Sequence, residues 1–343
     1  MYKKSLYKKA FNYFQTDLWN KFYDTDLFAV KYQDGEIGYC CVMGQLGKHI
    51  CLSVYPGKQG FFSLLGMMTP DEDLSEEEYQ EMLLGQDCIQ CSLENKTNMF
   101  PDEIKDFKAF AEEAGIPLKG KGRKFIHFAR FKPNCAPWYV KDKKDLEYIE
   151  IVLEAALEVS KKLKNASKEE LGFTESFETI PLLEKNGKSF EWTKLELPEN
   201  VSITQPVPVL PGDLAKELKN FKRQGSLECK IFRIPFPIQN KKDDQPRFPV
   251  LMLCIDLESG MIVSPPEMIA DEDEEAKLFE SFVKSIYHSK ILPKRISVFD
   301  EKTIELLKDF CKKTDTPMIV EAPKFVDDAF EEFLNHFGRM GGW

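Results

Sequence analysis

The sequence predicts a two-domain protein in which helices and strands are mixed: an α+β domain over about residues 1–200, then an α/β domain over 212–343. Three observations lead there. A chain of 343 residues exceeds the size at which one hydrophobic core usually keeps growing. Pro198, Pro206, Pro208 and Pro211 crowd into "LPENVSITQPVPVLPGD", an extended connector at about 196–213 that breaks helices and sheet ladders alike. Before it, short strands cluster between helices; after it, strand and helix patterns alternate.

Taken in order, Tyr7, Phe11, Phe14, Leu18 and Phe22 form a helical stripe opposite Lys3, Lys8 and Lys9, the pattern of a helix packed on a core. Strands follow near 27–32, 37–43 and 50–55, the first two joined by the turn "QDGE" and the next by "GQLGK". "YPGKQGFFSLLGMM" turns strand into helix. Its glycines match neither a Walker loop nor GxGxxG, so it reads as a tight structural turn. Ser75 and Glu78 fit a capping box, and the acids around them suit the positive end of a helix. A strand near 87–93 and a helix near 101–114 precede a strand at 125–131 whose Phe125 and Phe131 share one face. A long helix follows "PWYV", capped by Asp142, with Leu146, Ile149, Leu153, Ala156, Leu157 and Leu163 on its apolar side. "ETIPLLEKNGKSFEWTKLEL" is a hairpin turning at Asn186–Gly187.

Beyond the connector, strands are expected near 227–235, 248–256 and 261–264, then a helix over about 272–288. A strand near 295–299, a helix carrying Ile304, Leu307 and Phe310, and a strand near 317–321 come next. The last helix carries Val326, Phe330, Phe333 and Phe337.

Cys40 and Cys41 stand side by side in "GEIGYCCVMG", and Cys88 and Cys91 form a CxxC. On strands, neighbouring side chains and those three apart face opposite sides, so neither pair can close on one ion. With no second CxxC at ribbon spacing, these are structural thiols. Nine cysteines without a signal-peptide pattern point to a reducing cytoplasm. Hydrophobic content of 43% with 30% charged residues belongs to an ordinary globular chain. No apolar run is long enough for a membrane span, and no cofactor motif is present. A net charge of −10 disfavours wholesale polyanion binding.

One stretch runs against that charge. "LKGKGRKFIHFARFKPNCAPWYV" holds Lys119, Lys121, Arg123, Lys124, Arg130 and Lys132 among phenylalanines, with no acid. Basic residues alternating with aromatics can track a phosphate backbone, which makes Arg123, Lys124 and Arg130 candidates for nucleic-acid contact. The plainer reading is an inward strand with His127 as an ordinary member. No serine, histidine and acid motif of a hydrolase is present among the four histidines.

"DLFAVKYQDGEIGYCCVMGQLG", "LSVYPGKQGFFSLL" and "FKPNCAPWYV" resemble a family of bacterial cytosolic proteins known as a domain of unknown function, over residues 10–165. The resemblance implies an α+β domain and no activity. In the second half, "PVLMLCIDLESGMIV" and "LPKRISVFDEKT" are similar to the second hairpin and fourth strand of ribonuclease H-like domains of the integrase and transposase type. That resemblance implies two metals clamped by carboxylates. The acid ending the fourth strand falls on Asp300, and the acid of the last helix on Asp328, Glu331 or Glu332. The first strand carries Lys230 and Arg233, with only Glu228 at its start, where the resemblance requires a central acid.

The expectation is therefore a non-enzymatic cytoplasmic protein acting through contacts with a protein partner, without membrane or cofactor. A metal-dependent nuclease is the first alternative. A nucleic-acid-binding module using residues 119–132 is the second.

Overall fold

Tyr7, Ala10, Tyr13 and Phe14 line the buried side of the first helix, α1 (Lys4–Phe14). The helix stops there although the apolar stripe runs on. Asp17 takes a left-handed φ of 51° and Leu18–Asn20 is a short 3-10 turn, so Leu18 and Phe22 are buried from a bent chain. The computed structural model describes residues 2–69, 74–118, 124–173, 178–198, 207–263 and 266–340, with no side-chain description after 336. Part of the connector (199–206), the end of the expected strand at 264 and the side chain of Phe337 lie outside the described residues. The chain divides into two compact units, Met1–Ile203 and Thr204–Trp343.

In the first unit α1 is followed by β1 (Phe28–Lys31), β2 (Ile37–Met43), β3 (Cys51–Pro56), α2 (Gly57–Met68) and α3 (Glu76–Leu84). Next come β4 (Cys88–Glu94), α4 (Pro101–Glu113), β5 (Phe125–Phe131), β6 (Trp138–Tyr139), α5 (Lys143–Lys162) and the hairpin β7 (Thr179–Asn186) and β8 (Ser189–Glu196). The strands make one sheet in the order β6-β5-β4-β3-β2-β1-β7-β8. All its pairs are antiparallel except β1 with β7.

Helices cover both faces of that sheet. On one, Tyr7 and Tyr13 of α1, Phe107 of α4 and Ile149 and Leu153 of α5 pack on Val30, Cys40, Leu52 and Cys91. On the other, Phe61 and Leu64 of α2 pack on Tyr39, Cys41, Tyr55 and Cys88. Cys40 and Cys41 thus enter opposite cores, as do Cys88 and Cys91, and burial pushes all four thiols up. Double coverage also corrects the reading of β5, in which Phe125 through Ala129 are all buried and Phe131 is only partly so.

Local signals set the ends of these elements. Gly57 enters α2 with φ +63°, and a Cβ on Gly60 would meet the Tyr55 backbone at 2.8 Å, so glycine lets α2 lie tight against β3. Ser75 and Glu78 close the capping box of α3, and Asp142 caps α5.

The second unit contains α6 (Gly212–Lys219), β9 (Lys222–Arg223), β10 (Leu227–Arg233), β11 (Val250–Asp256) and α7 (Glu274–Ser289). It ends with β12 (Ile291–Leu292), β13 (Ile296–Val298), α8 (Glu301–Thr314), β14 (Met318–Val320) and α9 (Val326–Met340). Its main sheet runs β11-β10-β13-β14, with β10 antiparallel to β11 and parallel to β13, and β13 parallel to β14. Residues 261–263 do not form a full strand; Ile262 makes an isolated bridge to Ile255 at the outer edge of β11. Leu218, Phe279, Phe282, Leu307 and Phe310 pack on Cys229 and Ile231 on one face. Val326 and Phe330 of α9 pack on Phe232 and Leu253 on the other. Among the described residues no helix is long and apolar enough to cross a membrane.

Candidate functional site

Ligands of open α/β sheets gather where the strands end, and of the acids singled out in the second unit Asp300 stands at that end of β13, with Glu228 in register with Ser297 on the neighbouring strand. Asp300 follows β13 and caps α8: its carboxylate accepts the Thr303 N–H at 2.8 Å and the Thr303 hydroxyl at 2.7 Å. Thr303 Oγ1 in turn accepts the Ile231 N–H of β10 at 3.0 Å. Glu228, 3% exposed, accepts the N–H groups of Lys324 and Phe325 just before α9. Those donors belong to the start of a helix, where a carboxylate is favoured.

Cations hold two further acids. Lys230, with a 9% exposed side chain, reaches Asp327 at 3.0 Å, and Arg233 forks onto Glu274 at 2.7 and 3.3 Å. The Ser297 hydroxyl donates to Glu321 and holds that carboxyl below its ordinary range. Asp328, Glu331 and Glu332 are exposed on α9. The structure does not bring them together with Asp300: among the described residues no group of three or more His, Cys, Asp or Glu is placed to hold a metal. Around the same strand ends stand exposed apolar side chains, Phe299 (53%), Val320 (64%) and Phe325 (39%).

The basic stretch of the first unit divides in a different way. Lys119, Lys121 and Arg123 lie outside the described residues. Lys124 is exposed before β5; Arg130 sits near the other end of that strand, about 20 Å away at 3.3 Å per residue. Its guanidinium contacts Asp87 at 2.6 Å and Asp145 at 3.1 Å and donates to the carbonyls of Cys88 and Phe131. Burial pushes the Asp145 carboxyl up, against the pull of Arg130. Arg130 is thus spent on the protein's own carboxylates and carbonyls, and the two cations do not form one patch.

Sequence reasoning missed a buried acid and base between those ends. Glu103 of α4 is fully buried; one oxygen lies 2.7 Å from His127 Nδ1 and the other accepts the Phe128 N–H at 2.9 Å. The signal was present, since Glu103 stands one helical repeat before Phe107 on the stripe that continues to Phe110 and Ala111. An acid on a buried stripe requires a partner.

Residues 4–180, just over half of the chain, match the family described as Domain of unknown function (DUF7309). The chain belongs to that family. Residues 214–334 match a second, Domain of unknown function (DUF6930), and no curated protein matches. The Glu103–His127 pair and Arg130 fall within the DUF7309 stretch; Glu228, Lys230 and Asp300 fall within the DUF6930 stretch. Neither description carries an activity.

Proposed function

We propose that this chain is a bacterial cytoplasmic protein that works by binding a protein partner, without catalysis of its own. In this reading residues 1–200 and 212–343 are two domains joined by 196–213, and the second is a ribonuclease H-like domain without its metal site. The sheet order, β10 between an antiparallel β11 and a parallel β13, and the edge bridge at Ile262 support that fold.

One observation carries the functional reading. Where the resemblance requires converging carboxylates, Glu228 and Asp300 cap helices and Lys230 fills the middle of the first strand. Phe299, Val320 and Phe325 stand exposed around them. A nuclease face would present acids to metals and cations to phosphates, whereas an apolar face at this end suits contact with another protein.

The test places a photo-crosslinking amino acid at Val320, with Lys188 on the β7–β8 turn as the control position, in the producing cell. A discrete protein adduct is expected at 320 and not at 188. Adducts to RNA or DNA, or equal labelling at both positions, would overturn the reading. So would cleavage of DNA or RNA by the purified protein with magnesium or manganese that is lost in Asp300→Asn.

The domain plan has its own expectation. Limited proteolysis should cut first within 196–213 and release two resistant fragments, because a proline-rich extended connector offers protease an accessible backbone. First cleavage inside 226–337 would defeat the plan.

A further inference from the structure

Cys229 of β10 and Cys254 of β11 are register partners, and their sulfurs lie 3.4 Å apart with the Cys229 thiol donating to Cys254. They occupy a position of the ladder where the two residues exchange no backbone hydrogen bonds. The N–H of Leu227 goes to the Arg295 carbonyl, and that of Ile231 goes to Thr303 Oγ1. Every second residue of β10, Cys229 among them, therefore turns its polar edge away from β11. In such pairs the Cα atoms approach to about 4.5 Å, inside the span of roughly 4.4–6.8 Å that a disulfide bridges. From 3.4 Å the sulfurs would close to about 2.05 Å, the length of the bond.

Access is the second observation. Cys254 lines a surface crevice of about 30 Å³ with Leu227, Met252, Glu267, Ser281 and Ile286. That volume admits a molecule the size of water or hydrogen peroxide. Cys229 lies behind it at 1% exposure, and Cys311 of α8, at 5%, is the third thiol of the neighbourhood. The hydrogen bond to Cys254, together with burial, pushes the Cys229 thiol up; Cys229 donates that bond and Cys254 lines the opening.

We propose that Cys229 and Cys254 are a modification site, closing to a reversible disulfide when the protein meets hydrogen peroxide or a similarly small two-electron oxidant. Peroxide takes two electrons from the Cys254 sulfur: an S–O bond forms, the O–O bond breaks and water leaves. Cys229 then attacks the sulfenic sulfur; the S–S bond forms, the S–O bond breaks, and the Cys229 proton leaves with the hydroxyl as a second water. A dithiol reductant returns both thiols. The bond would tie β10 to the strand whose Cys254 carbonyl also holds Val263 at the sheet edge.

The experiment treats the native full chain with hydrogen peroxide, alkylates it, and maps peptides by mass spectrometry without reduction. The exposed Met261 (69%) reports that oxidant reached the protein. Expected are a mass loss of about 2 Da for one disulfide, a peptide joining Cys229 to Cys254, reversal by dithiothreitol, loss of the link in Cys254→Ser and its retention in Cys311→Ser. Three results would overturn the proposal: a Cys229–Cys311 link, accumulation of sulfinic acid at Cys254 without a link, or retention of both thiols while Met261 is oxidised. The unsubstituted protein alone decides among them, so the proposal stays testable if a variant fails to fold.

Discussion

Glu103→Ala is expected to destabilise the protein by about 3–5 kcal/mol, since it leaves two buried donors without an acceptor at about 1–3 kcal/mol each and opens space where the side chain stood. Glu103 is fully buried and serves two donors, His127 and the Phe128 N–H. The second matters for the sheet. β6 pairs with β5 at Ala129 and Arg130, so among the described residues no strand lies beside the outer edge of β5 at Phe128, and the Glu103 carboxylate takes its N–H instead. Alanine would leave that N–H and the imidazole without an acceptor in a desolvated place, and would open space near Phe107. Glu103→Gln keeps one acceptor oxygen and exchanges the other for a donor, which His127 can meet by changing tautomer; about 1 kcal/mol is expected. Denaturant unfolding of the two variants checks this through midpoints at unchanged slope. An alanine cost below that of glutamine, or equal to it, would mean that the carboxylate does not hold this edge.

What was legible in the sequence, and what was not, divides by the range of the interaction. Ser75 with Glu78, Asp142 before α5, and Asn186–Gly187 in the β7–β8 hairpin are signals read within a few residues, and each sits where its chemistry requires. The apolar stripe from Tyr7 to Phe22 was also real as burial, yet it was misleading as geometry. Leu18 and Phe22 reach the core past a left-handed Asp17, and periodicity alone does not distinguish a helix from a bent chain that buries the same residues. Pairing of β1 with β7 in parallel joins Ala29 to Leu182, and nothing near either residue encodes that partnership. The same holds at the candidate sites. Glu228 looked like a misplaced acid at the start of a strand because its donors, the N–H groups of Lys324 and Phe325, are nearly a hundred residues away in sequence and have no side-chain signature. Arg130 looked like part of a basic run because Asp87 and Asp145, which absorb it, come from two other segments.

Arg130 therefore separates the two readings of that run, and Arg130→Ala is expected to cost about 3 kcal/mol or more in stability while leaving any affinity for oligonucleotides unchanged. The cost arises because the substitution takes the guanidinium away from Asp87 and Asp145 and leaves Asp145 only the weaker pull of Lys132, and a poorly compensated charge in a partly desolvated place is expensive. The pH dependence follows from Asp145. Burial already raises its carboxyl above the ordinary value, and Arg130 pulls it back; without the arginine the folded-state value rises further. A carboxyl raised in the folded state binds its proton more tightly there than in the unfolded chain, so stability falls as pH rises from the ordinary carboxylate range through the raised value. The deficit of Arg130→Ala should accordingly be full at neutral pH and shrink as pH is lowered toward that range, in paired unfolding curves of the two proteins. A pH-independent deficit would remove Asp145 from the account. Unchanged stability with lost oligonucleotide binding would show instead that Arg130 faces nucleic acid, and the ion pairs around it would then be incidental to the fold.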